Sequence, residues 1–153
     1  MLAHGTILAV EDQANDALLL KMAYNATELP YRLIVVQDGQ CAVDYLKGAP
    51  PYDERVKYPL PGMLLLDLKT PRKDGFDVLA WLRKSKEFSA LPVVVLSCSP
   101  RESDMELAKE LGARDYLVKP IGYRELIGML KGVAERWMPI QVGNEVCRVE
   151  IAQ

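Results

Sequence analysis

Cysteine and histidine are scarce in this chain of 153 residues. The three cysteines, Cys41, Cys98 and Cys147, are odd in number and far apart, with no CxxC pair among them. Neither a disulfide framework nor a zinc site is signalled, and the plain reading is thiols in a reducing cytoplasm. The single histidine, His4, stands outside any cluster. No sign of charge dominates: 19 Lys and Arg against 21 Asp and Glu leave a formal net charge of −2. Such a chain carries no bulk field for a phosphate backbone, so direct binding of nucleic acid is not expected. No apolar run reaches the ~18 residues of a membrane span. The N-terminus MLAHGTILAVED lacks the basic n-region and long apolar h-region of a secretory signal. What is present is ordinary for a globular protein, 50% hydrophobic and 26% charged residues. Disordered, collagen-like and coiled-coil classes are excluded. One domain of this length buries roughly 68–70% of the surface its unfolded chain exposes and needs no staples.

Five short apolar runs punctuate the chain: Thr6–Val10 (TILAV), Leu33–Val36 (LIVV), Met63–Leu66 (MLLL), Pro92–Leu96 (PVVVL) and Tyr116–Val118 (YLV). Runs this short, closed abruptly by charged or turn residues, read as buried strands. Helical spacing fills the gaps. After the first run, Asn15 or Asp16 is the expected helix cap, Leu18, Met22, Ala26 and Leu29 share one face, and Pro30 closes the helix. Ala42, Val43 and Leu46 suggest a short helix up to Gly48. Asp74 caps a helix with Val78, Leu79 and Leu82 on one face; Met105, Ala108 and Leu111 mark another, stopped by Gly112. Ile127, Leu130, Ala134 and Trp137 mark the last, whose Gly128 and Gly132 each weaken it by ~1 kcal/mol relative to alanine. That glycine pair reads as ordinary helix packing. The segment Ala49–Gly62 carries four prolines and reads as a long loop. Strand then helix, five times over, with strands apolar on both faces, means a parallel sheet covered by helices on both sides. Its crossovers are expected to be right-handed.

The residues that end the runs are the informative ones. The first run ends in Glu11 and Asp12, the third in Asp67, the fourth in Ser97 and the fifth in Lys119. In an open α/β sheet the carboxyl ends of the strands form the ligand crevice, so three carboxylates, a hydroxyl and a lysine converge there. Packed carboxylates repel, and at least one is expected to hold its proton more tightly. A hard divalent cation relieves that repulsion; Mg²⁺ accepts two or three carboxylates and keeps several waters. A carboxylate beside Mg²⁺ and a lysine is set up to attack phosphorus, because phosphoryl transfer needs mainly positioning and charge neutralisation.

The pieces AVED at 9–12, LLLDLKTPRKDG at 64–75, VVVLS at 93–97 and DYLVKP at 115–120 resemble, in order and spacing, the receiver domain of two-component response regulators. The wording of the second piece and the long loop before it look most like the stand-alone regulators of phytochrome-type kinases, especially in cyanobacteria. The resemblance covers about Thr6 to Trp137 and implies a flavodoxin-like (βα)5 fold with strand order 2-1-3-4-5. Residues 1–137 would form the receiver, and 138–153 a C-terminal tail with no output domain. It implies Asp67 as phosphoacceptor, Asp12 and Glu11 as Mg²⁺ ligands with Asp67, and the backbone carbonyl of Lys69 as a further ligand. Ser97 and Lys119 would hold the phosphoryl group, Tyr116 would be a rotameric switch, and Lys119-Pro120 would be cis. Two positions depart from the pattern: Lys69 where many relatives carry Asn, and Cys98 where a small residue is usual. Cys98 reads as a small buried hydrophobe.

The implied function is a phosphorylation-driven switch in a phosphorelay, not an enzyme beyond its own phosphotransfer and dephosphorylation. The partners implied are a sensor histidine kinase, a downstream protein target and a second copy in a homodimer. Two enzyme-like or carrier readings fit less well. Aspartate-nucleophile phosphatases resemble D-x-D-x-T after the first strand, whereas here the carboxylate follows the third and Lys69 stands in place of the second Asp. A flavin or nucleotide carrier wants a Gly- or Ser/Thr-rich phosphate loop after the first strand, where this chain has EDQAND. A receiver-like adaptor that works without phosphorylation remains open on sequence alone.

Overall fold

A computed structural model of the chain describes residues 5–70 and 72–138. His4, Cys147 and, apart from Met138, the expected tail lie outside the described residues. Strand and helix alternate five times: β1 (Thr6–Val10), α1 (Ala14–Thr27), β2 (Arg32–Val36), α2 (Gly39–Lys47), β3 (Met63–Leu66), α3 (Gly75–Lys84), β4 (Val93–Ser97), α4 (Glu102–Glu110), β5 (Asp115–Val118) and α5 (Tyr123–Trp137). The strands pair in parallel in the order β2-β1-β3-β4-β5, the flavodoxin-like arrangement.

Side chains alternate across the pleat, so each strand feeds two cores. Leu8, Val10, Leu64, Leu66, Val93 and Val95 pack with buried residues of α2, α3 and α4. Ile7, Ala9, Met63, Leu65, Val94 and Leu96 pack with those of α1 and α5. Burying each large aliphatic side chain stabilises by about 1.5–3 kcal/mol. The three central strands are buried throughout, but β2 and β5 are half-exposed. Both still pack on the two cores, Ile34 and Tyr116 on one and Leu33, Val35 and Leu117 on the other; their exposure comes from being the sheet's edges, each with a neighbour on one side only.

The first helix departs most from expectation. Its N-cap is Gln13, without a side-chain hydrogen bond, and Asn15 and Asp16 lie within its first turn. It stops at Thr27 because Glu28 turns left-handed at φ 57°, two residues before Pro30. The face it buries is Leu20, Ala23, Tyr24 and Thr27, whereas Leu18 is 59% and Met22 51% exposed. Both stripes have helical spacing. The semi-polar one goes inside because its polar tips find partners: Tyr24 OH donates to the Tyr31 carbonyl at 2.8 Å and Thr27 Oγ1 to the Tyr24 carbonyl at 2.6 Å.

The other helices keep closer to their signals. Asp38 caps α2 by accepting from the Cys41 amide at 2.8 Å, and Gly48 ends it at φ 73°. Asp74 and Asp77 form a reciprocal capping box on α3, which buries Val78, Leu79 and Leu82. In α4 only Ala108 is fully buried, with Met105 half-buried. In α5 the buried face is Leu126, Leu130, Val133 and Ala134. A Cβ added at Gly128 or Gly132 meets nothing within 4 Å, so the expected packing role of this pair is corrected: both lie on the exposed side of the helix.

The loop from Ala49 to Gly62 has no helix or strand but is built onto the core. The Tyr52 ring lies 5.2 Å from both Tyr45 and Tyr58, and Tyr45 and Tyr58 are 5.9 Å apart. Arg55 donates to the carbonyls of Tyr45 at 2.9 Å and Leu46 at 2.8 Å at the end of α2, where the Gly48 amide also donates to the Tyr45 carbonyl at 3.1 Å.

Candidate functional site

Strand register assembles the site. Val10 pairs with Leu66, so Glu11 and Asp67 leave the sheet side by side. Ser97 pairs with Val118, and the amide of Lys119 donates to the Ser97 carbonyl at 2.8 Å. All five strand-end residues singled out in the sequence therefore meet at the carboxyl edge, as the sheet topology requires. Lys119 Nζ lies 2.6 Å from Glu11 Oε1 and 3.1 Å from Asp67 Oδ2. The other Asp67 oxygen, Oδ1, accepts from the Lys69 amide at 3.1 Å. The nucleophile candidate is thus gripped from both sides while 9% of its surface stays open.

Glu11 is nearly buried, and its free oxygen accepts from the Gln13 amide at 3.3 Å. Burial raises its carboxyl above the ordinary range; the neighbouring Asp67 adds to this, and Lys119 opposes it. Burial alone would lower the Lys119 ammonium, but the two carboxylates outweigh it and hold it above the usual lysine range. Glu11, Asp12 and Asp67 each offer a carboxylate oxygen, all within 4.8 Å of one another. Three hard oxygen donors this close fit a small divalent cation such as Mg²⁺, with water completing its shell. A groove of about 340 Å³ opens over Asp67, walled by Asp12, Lys69, Ser97, Cys98 and Arg101.

The far wall is a hydrogen-bonded loop. Ser97 is buried, and its hydroxyl accepts from the Ser99 amide at 3.1 Å. Tyr116 OH donates to the Ser99 carbonyl at 2.9 Å, and Ser99 Oγ donates to Asp104 Oδ2 at 2.6 Å. Tyr116 is therefore joined to the strand end carrying Ser97 and, through Ser99, to the start of α4. Two expectations are corrected. Cys98 is exposed, because it is the first residue past β4 and lines the open groove. The described cis peptide bond is Pro50-Pro51, not Lys119-Pro120, which takes the trans form that most X-Pro bonds favour.

Sequence reasoning missed the support beneath the Asp67 loop. Asp38, besides capping α2, receives Arg72 through Nε at 2.8 Å and Nη2 at 3.1 Å. Burial alone would raise the Asp38 carboxyl, but Arg72 and the Cys41 amide outweigh it and hold it below the ordinary range. The Asp-Gly pair at 38–39 announced a turn; nothing in the sequence announced its partner 34 residues on.

Comparison with known proteins bears on the fold and the family. Residues 7–131 match the profile of the response regulator receiver domain. The response regulator Rcp1 of Synechocystis sp. is 33% identical over 132 residues, covering 86% of this chain and 88% of that one. Among solved structures, the phosphorylated cyanobacterial phytochrome response regulator RcpA superposes with a TM-score of 0.79 at 34% identity, covering 88% of this chain and 94% of its own. The Mn²⁺-bound form of Rcp1 superposes at 0.77 with 31% identity, covering 92% and 99%. The chain shares its fold with these proteins, and it belongs to the response regulator receiver domain family.

Proposed function

We propose that Asp67 is the phosphoacceptor of a phosphorelay switch. The observation that carries this reading is Lys119 Nζ bridging Glu11 and Asp67 at 2.6 and 3.1 Å, with the Ser97 hydroxyl on the adjoining strand end. A carboxylate oxygen of Asp67 attacks the phosphorus of a phosphohistidine on a sensor histidine kinase. The O–P bond forms as the donor's N–P bond breaks, and the imidazole leaves with the electron pair. Lys119 neutralises charge on the transferred group and Ser97 donates its hydroxyl to a phosphoryl oxygen. Glu11, Asp12 and Asp67, with the Lys69 carbonyl, would hold Mg²⁺, which when bound screens the charge of the incoming phosphoryl oxygens. Phosphotransfer and the later hydrolysis of the acyl phosphate are the only chemistry assigned to the chain itself.

Output runs through Ser97 and Tyr116 to the face formed by α4, β5 and α5, where a downstream protein or a second copy binds. Local charge biasing a two-state element is the general logic of such switches. A phytochrome-type kinase in the cytoplasm is the input favoured by the similarity to RcpA and Rcp1. Among the described residues no helix is long and apolar enough to cross a membrane. The test is intact-mass analysis after incubation with acetyl phosphate, with and without Mg²⁺, beside Asp67→Asn. A Mg²⁺-dependent gain of one phosphoryl mass in the wild type alone supports the reading. Equal labelling of Asp67→Asn overturns it.

A further inference from the structure

The segment that follows Asp67 is clamped to the start of α2. Arg72 sits at φ 65°, a left-handed backbone that a long side chain adopts only at a cost. Its guanidinium makes two hydrogen bonds to Asp38, a side chain only 8% exposed, and a third to Cys41 Sγ at 3.3 Å. Beside it, the Gly39 amide donates to the Lys73 carbonyl at 3.1 Å. The approach is so close that a Cβ on Gly39 would stand 2.0 Å from that carbonyl. The same carbonyl accepts from Thr70 Oγ1 at 2.8 Å, which ties the clamp to the residue after Lys69. Lys69 in turn holds Asp67 Oδ1.

We infer that Asp38 and Arg72 are positioning residues for the Asp67 site: their ion pair fixes the loop whose Lys69 backbone orients the Asp67 carboxylate and faces the cation. This rests on the phosphoacceptor reading above. Partners that orient ligands from behind typically change metal affinity or activity by about 10–100-fold when removed.

The test separates positioning from mere stability. Arg72→Gly removes the pair and also the backbone strain. Asp38→Asn keeps a good helix cap and removes the charge. Both, and the double variant, are compared with wild type by Mg²⁺ titration followed through backbone amide NMR shifts, by the rate of phosphoryl uptake from acetyl phosphate, and by thermal midpoint. Each single variant is expected to bind Mg²⁺ about 10-fold more weakly and to label correspondingly slowly. The Lys69 amide resonance should move in both, the double variant should be no worse than the singles, and Arg72→Gly should melt near the wild-type temperature. Wild-type Mg²⁺ affinity and labelling rate in both single variants overturn the inference while leaving the phosphoacceptor reading intact. A wild type that neither binds Mg²⁺ nor takes up the phosphoryl group overturns both.

Discussion

Lys119 and Glu11, 108 residues apart in the chain, meet with Nζ 2.6 Å from Oε1. The lysine thereby stands where it neutralises a buried carboxylate and reaches the phosphoacceptor candidate at 3.1 Å. Its two duties pull in opposite directions. In the proposed mechanism it competes electrostatically with a cation for Glu11 and Asp67, yet favours an incoming phosphoryl group.

Lys119→Met should split those duties. Mg²⁺ affinity is expected to rise, since three carboxylates then face the cation without an internal competitor. Phosphoryl uptake is expected to fall by about 100-fold, the usual cost of removing one donor to developing charge. NMR titration and timed intact-mass labelling on the same preparation read the two effects. A parallel fall in both would mean that Lys119 acts only by holding the fold.

The exposed glycines of α5 make a stability prediction. With nothing within 4 Å of a Cβ at Gly128 or Gly132, alanine adds helix propensity without a clash. Each substitution should stabilise by roughly 0.5–1 kcal/mol, and the pair should add. Urea unfolding measures this directly. A loss of stability that grows with protein concentration would show instead that another chain packs there.

Three tyrosines set the alkaline limit of the fold. Burial is the main reason that Tyr24, Tyr45 and Tyr52 are pushed up to about 12. An unfolded tyrosine ionises near 10, so the unfolded chain gives up its protons first as pH rises. The contribution is whole below about pH 10 and is lost progressively as pH climbs through 12. Urea midpoints should stay level from pH 7 to 9 and fall above pH 10, with absorbance at 295 nm lagging a free-tyrosine curve. Ionisation of Tyr24, Tyr45 and Tyr52 near pH 10 in a folded protein would contradict their burial.

The site was legible because its residues end strands, and a short apolar run stopped by charge declares both the strand and the end that bears the chemistry. Glu11, Asp12, Asp67, Ser97 and Lys119 needed only the topology to bring them together. The buried face of α1 was not legible. The segment ALLLKMA is apolar at every position but Lys21, and the choice between its stripes turned on where Tyr24 and Thr27 found backbone acceptors. The exposure of Cys98 depended on its lying just past the end of β4, at the mouth of the groove. Arg72 and Arg55 were invisible for a different reason. Each acts on backbone or carboxylate groups far off in sequence, and an arginine in a polar loop looks like any solvated charge.

The central claim is that phosphorus becomes bonded to Asp67. The direct measurement is borohydride reduction of the protein after incubation with acetyl phosphate and Mg²⁺, followed by peptide mass spectrometry. Hydride converts an aspartyl phosphate to homoserine and leaves a free aspartate unchanged. The account predicts homoserine at position 67 and at no other aspartate, lost when Mg²⁺ is withheld. Homoserine at another position, or its absence from position 67 in a protein that has gained a phosphoryl mass, would contradict it.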